Sequence, residues 1–173
     1  MDLQISHWVA QALHTPFLDW LMPKITLLGN GGWIWIALCL VLLCRRRTRR
    51  WGVLCGLAML LAFVSGELVL KNLVQRLRPF HHLPGVELLI PPPESFSFPS
   101  GHSGSSFAAA ASVWRMDRRR GRWALALAAA IAFSRLYLTV HYLTDILAGA
   151  ALGLAAAWLA AKLCNHWERW HTL

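Results

Sequence analysis

The chain has 173 residues, of which 57% are hydrophobic and only 14% are charged. A soluble domain usually carries about a quarter charged residues, so the composition excludes an ordinary soluble protein and predicts one integral membrane domain over residues 1–173. The net charge is +9, but we expect no nucleic-acid partner. Ten of the seventeen basic residues lie in two short runs between apolar blocks, at 45–50 and 115–122.

Residues 3–15 place apolar side chains along one face of a helix, but the segment is too short and too polar to cross a bilayer. It predicts an interfacial helix at the membrane surface. No basic stretch precedes a hydrophobic core, so no cleavable signal peptide is expected. The cysteines lie within or at the ends of apolar blocks and are interpreted as small hydrophobic residues. They are Cys39, Cys44, Cys55 and Cys164.

Five apolar blocks predict five membrane-spanning helices and an all-α, polytopic helical bundle. Their approximate bounds are 18 or 25 to 43, 51–73, 101–114, 123–140 and 143–163. Both basic runs connect such blocks, which is typical of cytoplasmic loops under the positive-inside rule. The sequence therefore predicts a multi-pass protein of the cell membrane, with the N-terminal helix outside, the C-terminus in the cytoplasm, and the 78–100 loop and His141 on the outer side.

Three of these blocks contain residues that interrupt an apolar helix. The first contains Gly29-Asn30-Gly31-Gly32, which permits a kink or a close helix contact. In the second, Glu67 precedes Lys71 by one turn, so the two either form an ion pair or both lie near the aqueous end. Gly149 and Gly153 in the fifth form a GxxxG pattern that favours close packing.

The proline-rich connection 78–100 ends in Pro99-Ser100-Gly101-His102, directly before a run of small residues that predicts a tightly packed helix. Backbone N–H groups at a helix start point outward, and the helix dipole adds partial positive charge there. Such a place suits an anion, phosphate above all, although a Ser-Gly pair is also an ordinary helix cap. His102 adds a titratable group beside it.

Other charged residues stand at the same predicted outer ends. They are Lys71, Arg78, Arg135, His141 and Asp145. Lys71 and Arg78 taken singly could be membrane-surface anchors, but Arg135 within an apolar helix requires an explanation. Arginine binds phosphate oxygens, and an aspartate four residues after a histidine can orient the imidazole. The set predicts a phosphate site with covalent or acid–base chemistry, and it holds too few carboxylates and histidines for a metal site.

Three strings resemble, in residue type, spacing and order, the three-part motif of the type-2 phosphatidic acid phosphatase (lipid phosphate phosphatase) superfamily. They are Lys71-x6-Arg78-Pro79, Pro99-Ser100-Gly101-His102 and Ser134-Arg135-x5-His141-x3-Asp145. The resemblance covers residues 71–145 and implies a helical bundle that hydrolyses a membrane lipid phosphate without metal or cofactor. Many membrane members have six spans, whereas this sequence predicts five and an interfacial helix.

The resemblance also implies a role for each residue. His141 would attack phosphorus and form a phosphohistidine, with Asp145 orienting it. His102 would protonate the leaving group and then activate water. The phosphate oxygens would be held by Lys71, Arg78, Ser100 and Arg135 and by the backbone N–H groups of Gly101 and His102.

The small size and outward site resemble bacterial undecaprenyl diphosphate phosphatases, with phosphatidylglycerophosphate or phosphatidic acid phosphatase as the alternative. A basic cradle recognises phosphate and does not identify the lipid tail. An anion transporter and a lipid-binding scaffold are the alternatives from other classes. A transporter would keep its function after His141→Ala, and binding alone needs only the cations. His81 and His82 are interpreted as loop or interface residues.

Overall fold

The computed structural model describes residues 1–171, with side chains up to residue 166, and the described part contains helices, turns and loops but no strand. The helices are α1 (Asp2–Ala12), α2 (Pro16–Gly29), α3 (Trp33–Cys44), α4 (Arg49–Phe63), α5 (Lys71–Val74), α6 (Gly101–Met116), α7 (Arg118–Tyr137) and α8 (Leu143–His171). A 3₁₀ turn (Asn30–Gly32) joins α2 to α3, and a π-helical segment (Val64–Leu70) joins α4 to α5. The all-α prediction is confirmed.

Within the described residues, three stretches are long and apolar enough to cross a membrane, which supports a multi-pass membrane protein. They are Pro16–Cys44, Arg49–His82 and Leu143–His166, and they match the first, second and fifth predicted spans. The other two predicted spans are α6 and α7. Helix α6 has 16 residues, about 24 Å against a hydrocarbon core of about 30 Å, and α7 begins with an arginine-rich turn. The count of five spans therefore stays a prediction.

The first span is kinked, as its glycines predicted. Gly31 and Gly32 have φ angles of 55° and 70°, a left-handed conformation that glycine adopts without steric cost. The span begins at Pro16, earlier than the predicted 18 or 25, because Thr15 accepts a hydrogen bond from the backbone of Leu18 and Pro16 occupies the first helical position. Pro23 lies inside α2 rather than at its start.

Helix α6 forms the centre of the bundle and packs against α4, α7 and α8. The contact with α8 is closest at the predicted GxxxG pattern. A Cβ on Gly149 would lie 2.4 Å from the carbonyl oxygen of Ser100, and one on Gly153 would lie 2.3 Å from that of Gly104. Only glycine fits at this distance, so the predicted close packing is confirmed and the starts of α6 and α8 are held together.

A cluster of buried apolar side chains holds α3, α4, α6 and α7 together. Its buried members are Trp35, Cys39, Cys55, Ala109, Ala110, Ala128 and Ile131. The indole of Trp35 donates a hydrogen bond to Ser106 Oγ at 2.9 Å, so its polar atom is satisfied inside the core. Two of the four cysteines therefore act as small core residues, as the sequence predicted.

Helix α1 packs against α7 and α8, where Val9 is buried with Ala132, Leu136 and Ile146. Its first residue, Asp2, contacts Arg76 and Thr144. Helices α4, α6, α7 and α8 alternate in direction, so Lys71, the start of α6, the end of α7 and the start of α8 meet at one end. The two arginine-rich runs lie at the opposite end.

Candidate active site

A cavity of about 600 Å³ lies at the end of the bundle where these helix termini meet. Its inner part is lined by the polar and small residues Glu67, Lys71, Arg78, Ser95, Gly101, His102, Arg135 and His141. Its outer walls are the kink, with Gly29, Gly31, Gly32 and Ile36, and the helix α4, with Met59, Leu60, Ala62 and Phe63. Leu60 and Phe63 are also exposed on the bundle surface, so the cavity reaches the region where lipid would surround the protein.

Lys71 lies buried at the junction of the π-helical segment and α5. Its Nζ contacts both carboxylate oxygens of Glu67, at 2.7 and 2.8 Å, and Ser95 Oγ at 3.4 Å. The ion pair that the i,i+4 spacing allowed is therefore present. Glu67 also lies against Gly101, where a Cβ would stand 2.2 Å from Oε1. A side chain at position 101 would collide with this carboxylate, which explains the glycine.

Arg78 connects the proline-rich loop to the nucleophile candidate. Its guanidinium donates to the carbonyl oxygens of Ser95 at 2.7 Å, Phe96 at 3.3 Å and Val140 at 2.6 Å. Its Nη1 also lies 3.3 Å from His141 Nε2. Arg78 thus fixes the loop and places a positive charge beside the nitrogen of His141 that faces the cavity.

Arg135 is buried in α7 and donates from Nη1 to Thr26 Oγ1 of α2 at 2.7 Å. Its Nε is buried and has no hydrogen-bond partner among the described residues. A buried charged donor without a partner is costly, and an anion in the cavity that Arg135 lines would offset the charge of its guanidinium. Lys71, Arg78 and Arg135 together outnumber the single carboxylate, Glu67, that lines the cavity, so the site favours a bound anion.

The residues at the start of α6 fall into two groups: two of them line the cavity, and Ser100 caps the helix. Gly101 and His102 line the cavity. Ser100 is buried, and its Oγ accepts hydrogen bonds from the backbone N–H of Ser103 at 3.4 Å and from Ser103 Oγ at 3.1 Å. Its side chain is therefore a helix cap and is not part of the cavity lining. The predicted contact of Ser100 with phosphate stays a prediction.

His102 depends on the kink of the first span. Its Nε2 lies 2.9 Å from Asn30 Oδ1. A Cβ on Gly29 would lie only 2.8 Å from the imidazole Cδ2, so the kink packs directly against the ring. The glycine-rich stretch, for which the sequence predicted a kink or a close helix contact, also supplies Asn30, whose side chain contacts the His102 ring.

His141 lies in the loop between α7 and α8 and is buried. Its Nδ1 lies 3.5 Å from Asp145 Oδ2 and 3.5 Å from Ser97 Oγ. Asp145 is fully buried, and its Oδ2 accepts hydrogen bonds from Ser97 Oγ at 2.5 Å and from the backbone N–H of Tyr142 at 2.9 Å. A carboxylate can only accept, so Nδ1 carries the proton of neutral His141 and Nε2 keeps a lone pair that faces Arg78.

Burial lowers the pKa of His141 to about 3, because it disfavours the charged imidazolium; the Asp145 carboxylate acts against this effect, and the positive charges of Arg78 and Arg135 add to it. His141 is therefore neutral at pH 7, which is the form that can attack an electrophile.

Most of the predicted site residues line the cavity: Lys71, Arg78, Gly101, His102, Arg135 and His141. Asp145 lies beside Nδ1 of His141, and Ser100 caps the first turn of α6. The residues that the sequence did not reveal are Asn30, Arg76, Ser95 and Ser97. Ser95 and Ser97 lie in a loop without periodicity, so no local pattern marks them. Among the described residues, no group of three or more His, Cys, Asp or Glu side chains is placed to hold a metal ion; metal independence stays a prediction.

Comparison with known proteins agrees with this geometry. Residues 51–169 match the family model described as the PAP2 superfamily. The chain is 32% identical over 148 residues to the undecaprenyl-diphosphatase of Sulfolobus acidocaldarius. The alignment covers 84% of this chain and 70% of that protein.

Two crystal structures have the same fold. That of Aquifex aeolicus LpxE has a TM-score of 0.82 at 26% identity and covers 93% of this chain and 94% of its own. The structure of the transmembrane PAP2-type phosphatidylglycerolphosphate phosphatase from Bacillus subtilis has a TM-score of 0.74 at 27% identity. The match covers 95% of this chain and 85% of the Bacillus subtilis chain. The chain therefore belongs to the PAP2 superfamily, and it is a phosphatase that hydrolyses lipid phosphates.

Proposed function

We propose that the protein hydrolyses a phosphomonoester or diphosphate of a membrane lipid at the outer face of the membrane. The preferred reaction is the conversion of undecaprenyl diphosphate to undecaprenyl phosphate and inorganic phosphate. The observation that carries the proposal is the cavity itself, which combines three buried cations at its inner end with apolar walls that reach the bundle surface. Such a space fits a phosphorylated head group joined to a long apolar tail.

His141 acts as the nucleophile. Its Nε2 attacks the terminal phosphorus, and a P–N bond forms as the P–O bond to the leaving lipid phosphate breaks. Asp145 stays ionised; its carboxylate faces the Nδ1–H of His141 and stabilises the positive charge that develops on the imidazole. Lys71, Arg78 and Arg135 neutralise the charge on the phosphoryl oxygens in the transition state.

His102 acts as the acid and then as the base. It protonates the oxygen of the leaving lipid phosphate and then removes a proton from the water that attacks the phosphohistidine. The P–N bond breaks in this second step, which releases inorganic phosphate and restores His141. The backbone N–H groups of Gly101 and His102, at the start of α6, contribute to binding of the phosphoryl group.

The orientation follows from charge. The arginine-rich runs at 45–50 and 115–122 lie at the end of the bundle away from the cavity, and such runs remain on the cytoplasmic side. The cavity then opens at the outer face, with the C-terminus in the cytoplasm.

The substrate is tested by phosphate release from the purified full-length protein in detergent. Undecaprenyl diphosphate, phosphatidylglycerophosphate and phosphatidic acid are compared at equal surface concentration. We expect the highest kcat/KM for undecaprenyl diphosphate. A preference for either phospholipid would replace this substrate by the alternative, and release from none of the lipids would contradict the proposal.

The alternative substrate is phosphatidylglycerophosphate, because the Bacillus subtilis structural neighbour is described as a phosphatase of that lipid. Phosphatidic acid remains the other phospholipid candidate, since the three cations contact phosphate and not the glycerol backbone. The lipid comparison separates all three.

A further inference from the structure

We propose that Arg76 is a positioning residue for the nucleophile His141: it holds the Asp145 carboxylate, and it is itself held by Asp2 of the N-terminal helix α1. Arg76 lies inside the first motif string, Lys71-x6-Arg78-Pro79, at a position where the motif specifies no residue type. Its effect on catalysis rests on the proposed function, in which Asp145 orients His141.

The two oxygens of Asp145 have different partners. Oδ2 accepts hydrogen bonds from Ser97 Oγ and from the backbone N–H of Tyr142, and it lies 3.5 Å from His141 Nδ1. Oδ1 accepts a hydrogen bond from Arg76 Nη1 at 2.7 Å. A carboxylate is planar, so a bond that fixes Oδ1 also fixes the direction in which Oδ2 meets the imidazole. Without the guanidinium, the carboxylate could rotate about its Cβ–Cγ bond away from His141.

The backbone of Arg76 supports the same arrangement. Gln75 ends α5 with a φ angle of 48°, which turns the chain so that Arg76 leaves the helix axis. The carbonyl oxygen of Arg76 accepts a hydrogen bond from the backbone N–H of Ser97 at 2.8 Å. Arg76 therefore orders the two side-chain donors to Asp145 that come from the chain before α6: its own guanidinium and the hydroxyl of Ser97.

The Arg76 side chain is in turn fixed by three groups. Its Nη2 donates to Asp2 Oδ2 at 2.7 Å, its Nη1 donates to Thr144 Oγ1 at 2.7 Å, and its guanidinium lies 3.7 Å from the centre of the Tyr142 ring. The planar guanidinium thus joins two carboxylates, one from α1 and one from α8. A lysine at this position could not form the same pair of contacts.

Asp2 links α1 to the start of α8. It accepts hydrogen bonds from Thr144 Oγ1 and, at 3.3 Å, from the backbone N–H of Thr144. Burial favours the protonated form of Asp2, but the bonds from Thr144 and Arg76 outweigh it and lower the pKa of this carboxyl. Asp2 is therefore charged at neutral pH and can hold Arg76 in place. Through this contact the N-terminal helix supports the nucleophile.

The experiment compares Arg76→Gln, Arg76→Lys and Asp2→Asn in the purified full-length protein. We expect kcat to fall about 10- to 100-fold in Arg76→Gln with KM changed less than about threefold, because the misplaced nucleophile affects the chemical step. Arg76→Lys recovers part of this loss, and Asp2→Asn shows a smaller loss. The double variant Asp2→Asn/Arg76→Gln is no slower than Arg76→Gln alone, since both substitutions break one chain of contacts. Arg46→Gln, an exposed arginine at the opposite end of the bundle, is the matched control and keeps wild-type kinetics.

A second readout does not depend on activity. In protein labelled with ¹⁵N-histidine, the Nδ1–H signal of His141 reports the tautomer that the carboxylate beside Nδ1 selects, and this signal should weaken or shift in Arg76→Gln. An unchanged kcat or an unchanged Nδ1–H signal in a folded Arg76→Gln protein would overturn the inference. A loss of melting temperature and activity with an unchanged signal would mean that Arg76 only attaches α1. A wild-type protein that releases no phosphate would contradict the proposed function instead, and the Nδ1–H signal would still test the contacts of Arg76.

Discussion

The two histidines face the same cavity but are held in different ways. His141 is buried in the loop between α7 and α8, with Asp145 and Ser97 at Nδ1 and Arg78 at Nε2. His102 stands on the first turn of α6, and the partner of its ring in the structure is Asn30, from the kink of the first span. The proposed nucleophile, His141, is thus supported from several elements, and the proposed acid–base residue, His102, from one side chain.

The difference matches what each residue has to do. A nucleophile that attacks phosphorus in line has one productive position, so several contacts that restrict it favour the reaction. An acid that later acts as a base serves two oxygen atoms in turn, that of the leaving group and that of water. A single hydrogen bond from a neighbouring loop leaves the ring able to reach both. Separate variants of the two histidines test this comparison.

The largest effect is expected for His141→Ala. We expect kcat for phosphate release to fall on the order of 10⁴-fold or more, because the residue that forms the covalent intermediate is lost. The protein should still fold and insert, since Arg78 keeps its bonds to Val140 and the 95–96 loop. Phosphate release and circular dichroism of the purified variant measure both points. Normal turnover by this variant would reject the mechanism and favour a binding or transport function.

A loss of about 10²- to 10⁴-fold is expected for His102→Ala with a lipid substrate, because proton transfer to the leaving oxygen is removed. With an aryl phosphate, whose leaving group needs no proton, the first step should stay fast and the second should become slow. Quenching in alkali, in which the P–N bond is stable, should then trap a phosphohistidine on the variant. If the loss were the same for both substrates and no phosphohistidine accumulated, His102 would not be the acid.

A smaller effect is expected for Asn30→Ala. Loss of one neutral hydrogen bond is worth about 1 kcal/mol, which corresponds to about a fivefold fall in kcat/KM. Asn72→Ala is the matched control, because Asn72 is exposed and its amide donates to the backbone of the preceding π-helical segment, at Leu68 O and Glu67 O. Equal activity of the two variants would show that the kink does not orient His102.

The smallest effect is expected for metal removal. Excess chelator should change the rate of phosphate release less than about twofold, because the three cations of the cavity supply the positive charge that a metal ion would otherwise bring. The assay compares chelator-treated protein with protein to which magnesium or zinc has been added back. A strict requirement for either ion would reject the metal-free mechanism.

Much of the fold and of the site was accessible from the sequence because it depends on local spacing. The pairs Glu67–Lys71 and His141–Asp145 are each four residues apart. A continuous helical stretch brings the first pair together, and the second meets because His141 lies directly before the start of α8. The GxxxG pattern of Gly149 and Gly153 marked the face of α8 that packs on α6. The start of the first span was harder to predict from the sequence. The predicted start was residue 18 or 25, whereas α2 begins at Pro16 and continues through Pro23.

Other contacts join residues that are distant in the chain, and no local pattern announces them. Asp2 meets Thr144 across 142 positions, Arg76 meets Asp145 across 69, and Asn30 meets His102 across 72. The Ser-Gly pair allowed a helix cap as well as a phosphate site, and only the structure shows that the Ser100 side chain caps α6 while Gly101 and His102 line the cavity.

By itself the sequence determined the membrane class, the helical periodicity, the three motif strings and the set of candidate phosphate-binding groups. These properties follow from composition and from spacings within one or two helical turns. Only the tertiary structure decided which residues hold those groups in place, and which apolar walls accompany them. Such contacts depend on how whole helices pack, and packing is a property of side chains from different elements that fit together in space.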